Sequence, residues 1–143
     1  MTVALRQQLP PMPVQAVDQV REFENVTRQC PQINVQTEHT LHAGMYARTI
    51  RLPAGVVLTG VLIKIPTTVI VHGICRVFTG ERFMNLAGYH VIAAGAGRKQ
   101  IFITQTDTVI TMIFPSTAQT VEQAENEFTD EAHLLMSRND SGE

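Results

Sequence analysis

The sequence predicts a mainly β fold, a small β-barrel flanked by an N-terminal helix and short C-terminal helices. Between residues 33 and 114, short runs rich in Val, Ile, Thr and Phe alternate with Gly, Pro and polar breaks, which is the pattern of strands and turns. No helical stretch separates these runs, which favours a sandwich or barrel over a parallel α/β sheet. A length of 143 residues suits one domain with a substantial core.

The N-terminal part has two segments. Three prolines within residues 1–13 predict an extended or mobile lead-in. Residues 14–30 predict an amphipathic helix, because apolar side chains recur every three positions and share one side of a helix. Those side chains are Val17, Val20, Phe23 and Val26. Pro31 ends the helix, which we expect to pack on the outside of the barrel or against a neighbouring subunit.

The barrel itself is predicted over residues 33–115, and a helical tail over residues 116–143. The predicted strands cover residues 45–52, 56–65, 68–72, 74–78, 82–86, 90–93, 99–104 and 108–114. In the tail, residues 121–128 predict a helix with Thr120 as its N-cap and Glu122 in the first turn, where the helix dipole favours negative charge. A second short turn is predicted over residues 129–136 and a frayed end over residues 138–143.

Composition disfavours several classes of function. A net charge of −2 and an aromatic content of 6% with no Trp argue against nucleic-acid binding. Cys30 and Cys75 are too few for a disulfide framework and match no zinc pattern. Neither a signal peptide nor a membrane-spanning apolar stretch is evident, so we expect a soluble, cytoplasmic protein that binds no membrane.

Several short motifs are spread along most of the chain. They are Tyr46-Ala47-Arg48-Thr49, Pro53-Ala54-Gly55, Thr59-Gly60, His72-Gly73, Gly97-Arg98-Lys99, Asp107-Thr108 and Phe128-Thr129-Asp130-Glu131-Ala132. Together they resemble the cupin superfamily, and more closely the cupin-like proteins encoded by bacteriophages and prophages. The resemblance implies a double-stranded β-helix that carries a metal-ligand motif of two histidines, a glutamate and a third histidine.

The resemblance fails at these ligand positions. Counted from Gly55, they carry Val61, Ile63, Thr67 or Thr68, and Gln100. A divalent iron, manganese or zinc ion needs imidazole or carboxylate ligands, which hydrocarbon side chains cannot replace and Thr or Gln replace poorly. We therefore expect a degenerate motif with no metal at the barrel centre and no cofactor.

The histidines offer a weaker alternative. His39 and His42 lie near Glu38, but in a strand or loop their spacing points the two rings apart, which favours surface histidines over a metal site. His72 shares one strand face with Thr68 and Ile70, and it lies either at the barrel mouth or at a sheet edge.

Five polar side chains are the candidate ligand-binding residues: Tyr46, Arg48, Lys64, His72 and Lys99. If the shared face of Tyr46 and Arg48 points inward, Arg48 and Lys64 place positive charge in a pocket suited to a small anion or a nucleotide-like ligand. If it points outward, they are ordinary solvated residues. Arg98 and Lys99 follow a glycine-rich turn that does not match a phosphate loop but that an anionic group could still approach.

Three functions are compatible with these patterns. The first is a phage-type, metal-free binding module that acts as a homodimer or higher homo-oligomer and binds a small anionic ligand or a host protein. The second is a metal-independent isomerase or lyase that uses His72 or Tyr46 as general acid or base. The third is a structural virion or assembly component, which needs no pocket.

Overall fold

The computed structural model describes residues 7–140, which form a mainly β fold with helices near both ends, as predicted. Its strands are β1 (Gln8–Leu9), β2 (Gln36–His42), β3 (Met45–Leu52), β4 (Val57–Thr59), β5 (Thr67–Phe78), β6 (Phe83–Ala94), β7 (Ile101–Thr104) and β8 (Thr108–Pro115). Its helices are α1 (Val14–Thr27), α2 (Val121–Phe128), a single 3₁₀ turn at Ala132–Leu134, and α3 (Met136–Asp140). No helix in the described range is long and apolar enough to cross a membrane.

The strands form two layers that share the long β5–β6 hairpin. The larger layer has the order β1-β6-β5-β8-β3-β2, and the smaller one pairs β4 with β7 and β7 with β5. On one side of β5, residues 68–72 pair with β8, whereas residues 75–77 pair with β7. Within residues 7–140 the order runs linearly from β1 to β2, so the strands fold over as an open sandwich instead of closing the predicted barrel.

Two glycines let the hairpin pass from one layer to the other. Gly73 of β5 lies opposite Gly88 of β6, at the point where β5 changes partners. Gly73 has φ +147°, and a Cβ atom there would lie 2.5 Å from Oγ1 of Thr108. Only glycine tolerates that conformation and approach. The sequence predicted turns at both glycines; they are bends inside continuous strands, so four predicted strands merge into two.

Other boundaries also differ from prediction. Strand β2 was not predicted, and of residues 56–65 only Val57–Thr59 form a strand. The lead-in is held in place, because Leu9 pairs with Ala94 and is buried. The frayed end predicted for residues 138–143 is wrong for residues 138–140, which belong to α3. Residues 1–6 and 141–143 lie outside the described part of the chain.

The layers enclose the main core, and the helices cover it at two places. Side chains from both layers fill the centre, among them Val69, Val71, Leu86, Ile92, Phe102 and Ile110. Helix α1 buries Val17 and Val20 but leaves Phe23 and Val26 exposed, so half of its predicted apolar face is buried. Helix α2 has the predicted bounds, and Oγ1 of its N-cap Thr120 accepts a hydrogen bond from the backbone N–H of Gln123 at 3.2 Å.

Candidate functional site

An apolar cavity of about 120 Å³ lies between the two layers. Strands β3, β4, β7 and β8 contribute to its wall, together with the C-terminal residues Leu134, Leu135 and Met136. Val61, Ile63 and Gln100 all line it. The positions that correspond to three metal ligands in the cupin pattern therefore converge on one space, although they are 39 residues apart along the chain, from Val61 to Gln100.

The residues at this site do not suit a divalent metal. Val61 and Ile63 present only hydrocarbon to the cavity, and the amide nitrogen of Gln100 lies 3.4 Å from the carbonyl oxygen of Phe78. The hydroxyl of Thr67 donates to the carbonyl oxygen of Ile65 at 3.1 Å. Among residues 7–140, no three His, Cys, Asp or Glu side chains come together as a metal site.

Of the described residues in the cavity wall, Arg48 alone is charged, and its charge is compensated inside the protein. Its Nη1 lies 2.7 Å from Oε2 of Glu125, and its Nη2 donates to Oγ of Ser137 at 3.0 Å. The other oxygen of Glu125 accepts from Nε of Arg138 at 2.9 Å. Desolvation opposes ionisation of Glu125, but the hydrogen bonds from Arg138 and Arg48 outweigh it and hold its pKa below the usual range.

Tyr46 extends this network toward the edge strand β2. It is fully buried; its hydroxyl accepts from Nη1 of Arg48 at 3.3 Å and lies 2.6 Å from Nδ1 of His39. The Tyr46 hydroxyl therefore joins Arg48 to His39 through one oxygen atom. Burial, reinforced by the charge of Arg48, lowers the pKa of His39, and burial raises the pKa of Tyr46.

The remaining candidate residues lie elsewhere and do not form one pocket. Lys64 pairs with Asp130 at 2.6 Å on the surface. Lys99 is buried beneath α1, where its Nζ contacts Glu24 at 3.2 Å and donates to the carbonyl oxygen of Gly60 at 2.8 Å. The expected pocket that combines the charges of Arg48 and Lys64 is therefore not formed.

His72 lies on the outer face of the larger layer. The inner face of β5 is taken by the buried Val69 and Val71, so the alternate positions point outward. The ring of His72 is exposed and meets Tyr89 edge-on at 5.8 Å between centroids. His72 therefore occupies neither predicted place, the barrel mouth or a sheet edge, because β5 pairs with β6 on one side of it and with β8 on the other. Neither it nor the fully bonded Tyr46 is available to a molecule in the cavity.

Sequence reasoning missed the C-terminal part of the site. Glu125 and Ser137 neutralise and bind Arg48, and Leu134, Leu135 and Met136 cover the cavity. One signal was present, since three apolar residues in a row follow the polar sequence of α2. Their contact with strands some 80 residues earlier cannot be predicted from the sequence around them.

A groove of about 620 Å³ adjoins the cavity. It runs between the C-terminal end of α1, the following residues Cys30–Ile33 and strand β4. Six residues line both spaces: Val35, Leu58, Thr59, Val61, Leu134 and Met136. These shared residues form the boundary between the groove and the cavity.

Comparison with known proteins gives only distant structural likeness. No protein-family model matches the sequence, and no curated protein matches it. The structure is similar to a cupin-2 domain protein from Shewanella frigidimarina, with a TM-score of 0.45 and 8% identity over 66% of this chain and 91% of that chain. It is also similar to a cupin superfamily protein from Desulfitobacterium hafniense, with a TM-score of 0.49 and 11% identity over 81% of this chain and 99% of that one.

A third similar structure is salicylate 1,2-dioxygenase from Pseudoaminobacter salicylatoxidans. Its TM-score is 0.49 and its identity 11%, over 77% of this chain but 35% of that chain. Such low identities and TM-scores assign no activity to this chain. By its own strand order, the chain has the predicted mainly β class with flanking helices, as an open two-layer sandwich in place of the predicted barrel.

Proposed function

We propose that this chain is a non-enzymatic binding module of the phage-type cupin-like group, and that its inner cavity takes a small, mainly apolar molecule. The observation that carries the proposal is that Val61, Ile63 and Gln100 line one cavity at the place of the family's metal ligands. Hydrocarbon there favours burial of apolar surface over coordination.

Size and polarity narrow the class of ligand. A cavity of about 120 Å³ is close to the ~150 Å³ of engineered apolar cavities that stay dry and bind benzene or xenon. The guanidinium of Arg48 is already paired with Glu125, so a free anion gains little from it. A six-membered apolar ring, or the apolar end of a longer molecule that extends into the groove, suits the space best.

Methionine methyl groups provide a direct test with benzene as the probe. Met112 and Met136 line the cavity, whereas Met45 lies exposed at the start of β3. In protein labelled with [13C-methyl]methionine, benzene should shift the Met112 and Met136 resonances saturably and leave that of Met45 unchanged. Val61→Phe should fill the cavity and abolish the shift.

The matched control is Val14→Phe, which makes the same change at the exposed start of α1. It should retain the benzene response of the wild type. No shift at Met112 and Met136 in the wild type, or an unchanged shift in Val61→Phe, contradicts the cavity proposal.

We also propose that the module is a homo-oligomer that pairs through the outer face of its larger layer. Tyr89 is 63% and Val91 50% exposed there, beside the half-buried Ile70 and Ile113. In this part of the described chain, strand register places only one pair of acidic and basic side chains on that face, Glu38 and Arg51 at its edge. A broad face of this kind with so little charge suits a second copy of the same sheet.

Sedimentation equilibrium of the wild type and of Tyr89→Glu tests this pairing. The proposal expects a dimer or larger species that dissociates in the variant. A wild-type monomer at high concentration contradicts it, and leaves a host protein as the candidate partner of this face.

A further inference from the structure

Three cationic side chains are almost completely buried, and one of them has no acidic partner. Arg48 is 5% exposed and pairs with Glu125; Lys99 is 0% exposed and pairs with Glu24. Arg98 is 1% exposed, and no carboxylate of residues 7–140 forms an ion pair with it. A buried charge without a counterion is strongly unfavourable, so such a group is rare unless something else compensates it.

The hydrogen bonds of Arg98 leave one edge of its guanidinium open. Its Nη1 donates to the carbonyl oxygen of Gly95. Its Nε is buried and has no hydrogen-bond partner in the described residues, and no bond from Nη2 is formed there either. The Nε–Nη2 edge is the one that binds a carboxylate or phosphate through two parallel hydrogen bonds.

Arg98 stays positively charged at neutral pH despite its burial. Desolvation lowers its pKa to about 10, which still lies well above physiological pH. Neutralisation by loss of a proton therefore does not relieve the cost of burial, and an anion does.

The turn that carries Arg98 is rigid on one side and open on the other. The backbone N–H of Gly95 donates to Leu9, and a Cβ atom on Gly95 would lie 2.7 Å from Cδ of Pro11, so the N-terminal segment packs tightly there. Gly97 has φ +77°, and a Cβ atom on it would meet nothing within 4 Å. Free space therefore adjoins the backbone of the turn at Gly97, the residue before Arg98.

We propose that Arg98 is the anchor of an oxyanion-binding site, separate from the apolar cavity, which takes the carboxylate or phosphate group of a small molecule. Arg98 is not among the residues that line the cavity. The anion accepts from the Nε–Nη2 edge in bidentate fashion and supplies the negative charge that Glu125 and Glu24 supply to the other two buried cations.

The direct test follows the Nε–H resonance of Arg98 in [15N]arginine-labelled wild-type protein, with inorganic phosphate and acetate as separate probes. Chloride is replaced by each probe at constant ionic strength. One or both probes should shift the resonance saturably. A response to phosphate alone identifies a phosphate group, and one to acetate alone a carboxylate. No shift with either probe overturns the proposal.

Thermal unfolding of Arg98→Met provides an independent measurement. In buffer without oxyanions the variant should have a Tm equal to or above that of the wild type, because a hydrophobic side chain replaces an uncompensated charge. As the phosphate or acetate concentration rises, only the Tm of the wild type should increase, until it exceeds the Tm of Arg98→Met.

The matched control is Arg76→Met, which removes an exposed guanidinium that lies over the Phe83 ring and should leave the oxyanion response unchanged. An equal Tm gain in Arg98→Met overturns the proposal. So does a lower Tm of that variant without oxyanion, combined with no response of the wild type, because Arg98 then only fastens the Gly95 turn.

Discussion

Two ion pairs of nearly equal length should differ several-fold in their contribution to stability. Arg48 and Glu125 are 2.7 Å apart, with side chains 6% and 4% exposed. Lys64 and Asp130 are 2.6 Å apart, with side chains 42% and 83% exposed. Removal of one partner from a buried pair costs about 3–5 kcal/mol, whereas an exposed pair contributes about 0.2–1 kcal/mol. Burial, and not distance, sets the difference.

We therefore expect Glu125→Gln to lose about 3 kcal/mol and Lys64→Met less than about 1 kcal/mol. With a urea m value of about 1.5 kcal/mol/M, the first change lowers the midpoint by about 2 M. Because the chain has no Trp, far-UV circular dichroism is the suitable signal. The double variant Arg48→Met/Glu125→Leu should lose less than Glu125→Gln alone, since it leaves no buried charge at Arg48. Equal losses for Glu125→Gln and Lys64→Met, or a double variant less stable than Glu125→Gln, refute this reasoning.

Gly73→Ala should lower the free energy of unfolding by about 3 kcal/mol or more, because the new Cβ clashes with Thr108 and the backbone has an unfavourable φ. Gly88→Ala should lower it by only about 1 kcal/mol, because its new Cβ has nothing within 4 Å. Similar Tm values for the two variants contradict that clash. The free energy of unfolding should also decrease in two steps as the pH is lowered. The pKa of His39 is lowered from 6.5, so the unfolded chain takes up its proton first and stability falls as pH drops below 6.5. The pKa values of Glu125 and Glu131 are lowered from 4.5, so the second fall begins near pH 4.5 and continues below it. Urea midpoints against pH test this, and His39→Gln should remove the first step alone.

Local patterns predicted the elements whose cause is local. Strand β3 and helix α2 have the predicted bounds, because the Pro53-Ala54-Gly55 break after β3 and the Thr120 cap of α2 act within a few residues. Strand β2 reads Gln-Thr-Glu-His-Thr-Leu-His and lacks apolar alternation, because an edge strand exposes most of its side chains. A glycine between two β-rich runs, as at Gly73, fits a break between two strands and a bend inside one strand equally well, so the sequence does not distinguish them.

The site could be predicted only where the family pattern supplied a register. That register assigned Val61, Ile63 and Gln100 to ligand positions, and all three line one cavity, whereas neither Thr67 nor Thr68, its fourth position, does so. It said nothing of Glu125, which meets Arg48 across 77 positions of sequence, or of the missing counterion of Arg98. Whether a buried charge is compensated depends on contacts distant in sequence, which the residues around it do not reveal.

The shared hairpin has a consequence for how the protein unfolds. Strand β5 hydrogen-bonds to β8 through its first half and to β7 through its second half. Neither layer can therefore unfold on its own while β5 stays paired in the other layer. Amide protons in both halves of β5 should therefore exchange only through one global opening event. The pairs β3–β8 and β5–β8 also join residues far apart along the chain, so this single cooperative unit assembles slowly compared with a helical bundle of the same size.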